Sequence, residues 1–112
     1  MQLVVKGKID EAYKKYVDMT GKHHNVYFPK GFPVLQVAMK ESHAELPNKK
    51  LIIKNILGDG DLVAVHSRLV RSKDELDISV VHLFRFKKGK IVEMWDTGQA
   101  IPSNCPNKDG AF

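Results

Sequence analysis

The sequence has only one cysteine, Cys105, among its 112 residues. A single thiol excludes an internal disulfide and any metal site built from cysteine pairs, and its Pro- and Asn-rich setting favours a free surface thiol. No apolar run reaches the ~18 residues of a membrane span, and the start of the chain lacks the hydrophobic segment of a signal peptide. These absences predict a protein of the reducing cytoplasm with no membrane partner.

Acidic residues are the scarcer charged class, with 13 Asp and Glu against 18 Lys and Arg and a formal net charge of +5. An excess of basic residues suggests nucleic acid or an acidic ligand. The basic residues are scattered, however, in pairs such as Lys14-Lys15, Lys49-Lys50 and Lys87-Lys88. No basic run is interleaved with aromatic residues, so we predict a solvated surface and no nucleic-acid partner.

Histidines are the remaining candidates for a metal site. His23, His24 and His43 have no acidic partner at a spacing typical of metal ligands. We therefore expect structural or surface roles for them and no bound metal.

Two amphipathic helices are predicted in the first half of the chain. Apolar residues recur at helical spacing from Ile9 to Val17, which predicts a helix from about Lys8 to about Asp18. Residues 19–33 are rich in Gly, Pro and aromatic residues and are predicted to be an irregular segment that packs across the fold. Pro33 suits the first turn of a second helix, which should end near Leu46.

From Lys50 onward the apolar pattern changes to alternation, which predicts four strands with short connections. Two of them cover residues 51–57 and 62–70, and the last two form a hairpin over residues 78–96. Helices followed by an antiparallel meander define an α+β class. We expect one domain over residues 1–112, with residues 103–112 as a coil tail.

The hairpin that ends at Asp96 carries the main functional signal. A three-residue loop centred on Gly89 would pair Lys87 with Ile91. The same register places His82 opposite Asp96. A two-residue loop would shift the pairing by one residue and lose this match.

The face that carries this pair is otherwise apolar and includes Phe84 and Met94. A carboxylate in an apolar cavity is a stronger base than one in water, and a neighbouring imidazole can donate a hydrogen bond to an oxyanion. The preceding strand is joined to the hairpin by a loop over roughly residues 71–77, and a pairing centred on that loop would place His66 opposite His82. His66, His82 and Asp96 would then form a row across three strands.

Each of these residues also has a structural interpretation. Asp96 would cap the end of its strand, and His82 and His66 would be core histidines with satisfied hydrogen bonds. An acid on an inward face is costly without a purpose, which favours a functional Asp96. Trp95 faces the other way and is expected to pack under a helix or at a dimer interface.

Three segments resemble the C-terminal half of SnoaL-like polyketide cyclases, a group of the nuclear transport factor 2-like superfamily. They are GDGDLVAVHSRL, ISVVHLFRFKKGKIVEMWD and TGQAIP. His24-Asn25 resembles the family's His-Asn-Pro stretch, with Val26 where Pro is usual. The resemblance covers roughly residues 7–102. Members normally open with a full helix, of which residues 2–6 match only the end.

The resemblance implies a cone-shaped, cystatin-like fold in which a curved antiparallel sheet is wrapped by N-terminal helices around an apolar pocket. It implies that Asp96 is the acid/base of an intramolecular aldol ring closure, with His82 nearby and no metal or organic cofactor. Asn25 would help to bind the substrate oxygens. The residues expected to contact the substrate are His66, Asn25, His24, Phe84 and Met94.

Three classes of function follow. The first is a cofactor-independent enzyme, a polyketide cyclase-like lyase or isomerase that acts on a small apolar carbonyl compound. The second is a non-catalytic module that binds a small ligand in the same pocket. The third is an interaction module, because the outward set Val81, Leu83 and Trp95 predicts a homodimer.

Overall fold

The computed structural model describes residues 2–112, which form three helices and five strands. In chain order these are α1 (Gln2–Val5), α2 (Ile9–Tyr16), β1 (Val17–His23), α3 (Phe32–Glu45), β2 (Lys50–Asp59), β3 (Leu62–Val70), β4 (Ile78–Lys87) and β5 (Lys90–Ala100). No helix within this range is both long and apolar enough to cross a membrane. Residues 101–112 contain neither helix nor strand.

The strands form one sheet in the order β1-β5-β4-β3-β2. Strands β2 to β5 pair with their sequence neighbours in antiparallel fashion, which confirms the predicted meander. β1 joins the far edge in parallel with β5. The two predicted amphipathic helices are confirmed as α2 and α3, with ends within two residues of those expected.

Strand β1 lies where the sequence pattern predicts irregular chain, and that prediction is wrong for residues 19–23. Val17 packs against the core, and His23 is only 7% exposed, so alternate residues of the strand do face inward. Met19 and Gly21 occupy the alternate positions between them, and a Cβ on Gly21 would clash with the backbone of β5. Because a glycine adds no apolar side chain to the pattern, the alternation is not visible in the sequence.

The helices cover the concave face of the sheet from both edges. On the β1 side, α2 and α3 contribute a buried cluster of Ile9, Tyr13, Phe32 and Leu35. The Tyr13 and Phe32 rings meet edge to face with their centroids 6.3 Å apart. On the opposite edge, the Gln2 side-chain amide of α1 donates to the Leu51 carbonyl of β2 at 3.0 Å. The middle of the sheet is left as the floor of a cavity.

The β4–β5 turn is shorter than predicted. Lys87 pairs with Lys90 across a two-residue turn, Lys88-Gly89. Both turn residues have positive φ, 53° and 78°, as two-residue hairpin turns with the twist of a sheet require. The predicted three-residue loop is therefore wrong.

A bulge in β5 compensates for the shorter turn. The pairing shifts by one residue between Arg85 and Phe86, and Val92 is the additional residue of β5. A bulge sets two residues of one strand against one of its partner, so it restores the register that the shorter loop would have lost. His82 therefore pairs with Asp96, as predicted.

The predicted register between β3 and β4 is wrong by one residue. His66 pairs with Val81, and Val65 pairs with His82. Because side chains alternate between the two faces, a slip of one residue transfers the whole set to the other face. His66 consequently lies on the outer face of the sheet.

Candidate active site

A cavity of about 580 Å³ lies between the sheet and the helices. Its volume falls within the range that holds small organic ligands, roughly 300–1,000 Å³. Most of its wall is apolar. The residues that line it are Gln2, Leu3, Val4, Ala12, Tyr13, Tyr16, Val17, Phe32, Leu35, Met39, Lys49, Leu51, Ile53, Val63, Val65, Leu69, His82, Phe84, Phe86, Ile91, Met94 and Asp96.

Four of the predicted site residues reach this cavity. His82 and Phe84 come from β4, and Met94 and Asp96 from β5. They occupy alternate positions of two paired strands, so the hairpin register delivers all four to one face. The pairing of His82 with Asp96 brings the two titratable groups side by side.

Asn25 is connected directly to this pair, because its side-chain Nδ2 donates to Asp96 Oδ2 at 3.0 Å. The amide is held in that orientation by its other atom, since Asn25 Oδ1 accepts the backbone N–H of Tyr27 at 3.0 Å. The Asp96 carboxyl group is thus oriented by a neutral donor.

His23 holds the loop that carries Asn25. Its Nε2 lies 2.8 Å from the Pro29 carbonyl oxygen, and its Nδ1 accepts the backbone N–H of Asn25 at 3.2 Å. One ring nitrogen accepts and the other faces an oxygen, so the ring is neutral with its proton on Nε2. This buried histidine orients the loop and does not contact the cavity.

The His82 side chain is half-buried and its neutral form is favoured. Burial lowers its pKa below the ordinary value, while the Asp96 charge acts in the opposite direction and only partly offsets it. The ring stacks on Phe84 at 5.8 Å with the two planes nearly parallel. His82 Nδ1 is buried and has no hydrogen-bond partner within residues 2–112.

His24 lies outside the cavity. Its Nε2 is 2.7 Å from Glu93 Oε2, and its ring stacks on Trp95 at 5.0 Å. Glu93 and Trp95 belong to the outward set of β5, so the predicted contact of His24 with the substrate does not fit its position. Trp95 packs against this ring and the Arg85 guanidinium rather than under a helix.

His66 also lies outside the cavity. Its Nε2 is 3.1 Å from Ser79 Oγ, and its ring packs against Phe112 of the C-terminal segment at 5.1 Å. The predicted row of three residues is therefore reduced to His82 and Asp96. The structural interpretation of His66, a histidine with satisfied hydrogen bonds, fits its surroundings.

Two residues that the sequence pattern does not single out also line the cavity, Tyr13 and Lys49. Tyr13 belongs to the apolar stripe of α2, and burial raises its pKa to about 12, so its hydroxyl stays neutral. Lys49 precedes β2 in a polar turn, where the sequence contains no signal that it faces inward. Among residues 2–112, no cluster of three or more His, Cys, Asp or Glu is arranged to hold a metal ion.

The sequence matches one family model, described as a SnoaL-like domain, over residues 10–94. No curated protein matches the sequence.

Several solved structures share the fold at low sequence identity. A proposed SnoaL-like polyketide cyclase from Jannaschia sp. CCS1 is 17% identical with a TM-score of 0.71, over 88% of this chain and 81% of that one. An uncharacterised cystatin-fold protein from Novosphingobium aromaticivorans is 16% identical with a TM-score of 0.73, over 86% and 89%. AclR, a proposed hydroxylase from Streptomyces galilaeus, is 19% identical with a TM-score of 0.68, over 88% and 84%. The fold is the nuclear transport factor 2-like, or cystatin-like, fold predicted from the sequence.

Proposed function

The chain belongs to the family of SnoaL-like domains, and on that premise we propose that it is a cofactor-independent enzyme that transfers protons on an apolar carbonyl compound. Asp96 is the proton acceptor, and the reaction is an aldol-type cyclisation or an isomerisation. The cavity around Asp96 holds the substrate, with Asn25, Phe84 and Met94 beside its reacting end.

One observation carries the proposal. Asp96 sits in a mostly apolar cavity, bound by the Asn25 amide at 3.0 Å and paired with a partly buried His82 whose Nε2 makes no hydrogen bond within residues 2–112. A base beside an unsatisfied hydrogen-bonding group is the arrangement that enolisation needs. The base removes a proton α to a carbonyl, and the second group binds the oxygen on which charge develops.

The steps balance without an external reagent. The substrate C–H proton passes to Asp96, and the bonding electrons form an enolate. In a cyclisation the enolate carbon attacks a second carbonyl, and the new alkoxide recovers the proton. In an isomerisation Asp96 returns the proton to a different carbon. Neutral His82 with its proton on Nε2 donates to the enolate oxygen, since Nδ1 is enclosed by the protein.

Exchange of α-protons for deuterium tests this chemistry without the natural substrate. Proton NMR measures the exchange of the α-protons of 2-tetralone in D₂O. We expect this exchange to be faster with the wild-type protein than in buffer alone. Asp96→Asn should lose the acceleration by a factor of about 100 or more, because general-base catalysis contributes on that order. His82→Ala should lose less, since it keeps the base.

Ser79→Ala is a suitable control, because Ser79 contacts His66 on the outer face and is remote from the cavity lining. Binding of 2-tetralone without acceleration would favour a ligand-binding module instead. Acceleration that survives in both Asp96→Asn and His82→Ala would show that the catalytic assignment is wrong.

The homodimer and the cytoplasmic location are further parts of the proposal. The dimer is supported by a row of outward apolar residues that pair across four strands, Leu57, Ala64, Leu83 and Trp95. Leu57 is 69% exposed and Leu83 is 37% exposed, so the second copy would cover surface that this chain leaves open. The location is supported by the free thiol of Cys105.

A further inference from the structure

Lys49 places a positive charge in the wall of the cavity, away from the proposed reacting end. We infer that Lys49 is an anion subsite and that the substrate is an apolar carbonyl compound that also bears a carboxylate. Only the carbonyl group of the inferred substrate rests on the proposed function. The anion subsite is inferred independently from the surroundings of Lys49.

The surroundings of Lys49 hold its ammonium group at the cavity. Its Nζ donates to Ser42 Oγ of α3 in a partly buried position. The side chain is half-buried and lines the same cavity as its neighbour Leu51. Leu51 pairs with Leu69, which also lines the cavity, so the residues that share this part of the wall with Lys49 are apolar.

The charge of Lys49 is not neutralised within residues 2–112, where no carboxylate lies within ion-pair distance of its Nζ. Burial and the positive charge of Arg71 lower the pKa of Lys49, and the smaller effect of the Glu45 charge acts in the opposite direction. Arg71 already interacts with Glu75 and the Leu76 carbonyl. A bound anion would therefore stabilise the charged form of Lys49.

The two charged groups of the cavity wall define an orientation for the ligand. Leu69 pairs with Leu51 at the Lys49 end, and Val65 pairs with His82 at the Asp96 end. A strand rises about 3.4 Å per residue, so Leu69 and Val65 are roughly 14 Å apart along β3. Asp96 repels a carboxylate and Lys49 attracts it, so a keto acid of this length binds with its carbonyl at Asp96.

A carboxylate fits better than a phosphate. Lys49 is the only cationic side chain among the residues that line the cavity within residues 2–112, and one ammonium group balances one negative charge. The apolar wall would leave a second phosphate charge without a partner, which is costly in a cavity of low polarity.

The test compares two probes that differ in charge, 2-naphthoate and the neutral 2-naphthamide, by titration of their fluorescence. We expect the wild-type protein to bind 2-naphthoate more tightly than 2-naphthamide. Lys49→Met should weaken the binding of 2-naphthoate about tenfold, as expected for the loss of one charge-assisted hydrogen bond. It should leave 2-naphthamide unchanged, and Lys49→Arg should restore the preference.

Lys50→Met is the matched control, because Lys50 is adjacent, exposed and absent from the cavity lining. Equal binding of the two probes to the wild-type protein, or an equal loss of both in Lys49→Met, would overturn the inference. Asp96→Asn should bind 2-naphthoate at least as well as the wild type, because it removes a repelling charge. If Lys49→Met weakens the binding of 2-naphthoate but the wild-type protein does not accelerate proton exchange, the anion subsite is supported and the proposed catalysis is contradicted. If proton exchange is accelerated but Lys49→Met does not change the binding of 2-naphthoate, the proposed catalysis is supported and the anion subsite is contradicted.

Discussion

The Asn25 amide and the His82 ring determine what the Asp96 carboxylate can do. Asn25 donates a hydrogen bond to the Asp96 carboxyl group and carries no charge of its own. Burial favours the neutral form of His82. The proposed base is thereby oriented by a neutral donor in a mostly apolar cavity, which favours proton abstraction.

His82 should make the stability of the protein depend on pH. Its pKa in the folded protein lies below the ordinary value of 6.5, so the unfolded chain binds the proton more readily. The contribution of neutral His82 is fully present above about pH 6.5 and is lost as the pH falls through and below that value.

We expect the free energy of unfolding of the wild-type protein to fall more steeply than that of His82→Phe between about pH 7.5 and about pH 5. Phenylalanine retains the stacking on Phe84 and removes the titration. Urea denaturation at each pH measures the difference, and the other histidines are common to both proteins. Parallel pH profiles for the two proteins would contradict a buried, neutral His82.

At the scale of elements, the β4–β5 hairpin aligns the site through two compensating irregularities. The Lys88-Gly89 turn shortens the connection, and the Val92 bulge lengthens β5 by one residue. Either feature alone would carry Asp96 to the outer face, because the faces of a strand alternate at every residue. The hairpin therefore positions the base only if both features form.

Gly89→Ala should destabilise the protein by about 1 kcal/mol, because an L-residue pays that much for a left-handed conformation. Gly89 has a φ of 78°, and a Cβ there would meet no atom within 4 Å. The loss therefore comes from the backbone conformation and not from a clash. Thermal or urea denaturation gives the value.

Gly58→Ala provides a matched control, because Gly58 also has open space around it but does not adopt a positive φ. It should be neutral or slightly stabilising, since alanine restricts the unfolded chain more than glycine does. An equal effect of the two substitutions would argue against a strained turn.

At the scale of the whole molecule, the sheet separates two surfaces for which we propose different roles. The inner face and the helices enclose the cavity, and the outer face carries the apolar row together with His24 and His66. Substitutions on the outer face should therefore change assembly before they change the cavity. This separation allows the proposed dimer to be tested without disturbing the proposed site.

Leu83→Glu should convert the proposed dimer to a monomer, because it puts a charge at the centre of the apolar row. Sedimentation velocity over a wide range of protein concentration measures the mass. Val37→Glu is the control, since Val37 is 56% exposed on α3 and distant from the outer face. A wild-type protein that stays monomeric throughout the range would contradict the dimer.

The sequence by itself determined two helices and four of the five strands, and it placed His82 opposite Asp96, the pair to which we assign the proposed reaction. Helical periodicity located α2 and α3, and alternation located β2 to β5, because these patterns record which side of an element is buried. The pairing of His82 with Asp96 was also predicted, although through a three-residue loop that does not form. The family resemblance identified Asn25, which now lies 3.0 Å from Asp96.

Only the tertiary structure decided the rest. Strand β1 depends on pairing with β5 and has Gly21 at an inward position, so the local sequence shows no alternation of apolar residues that would predict it. The β3–β4 register depends on the path of a long connection, and a change of one residue moved His66 to the outer face. Lys49 lines the cavity from the turn between α3 and β2, where its Nζ donates to Ser42 Oγ. The strand pairings join distant parts of the chain, and local sequence patterns report burial without reporting the partner.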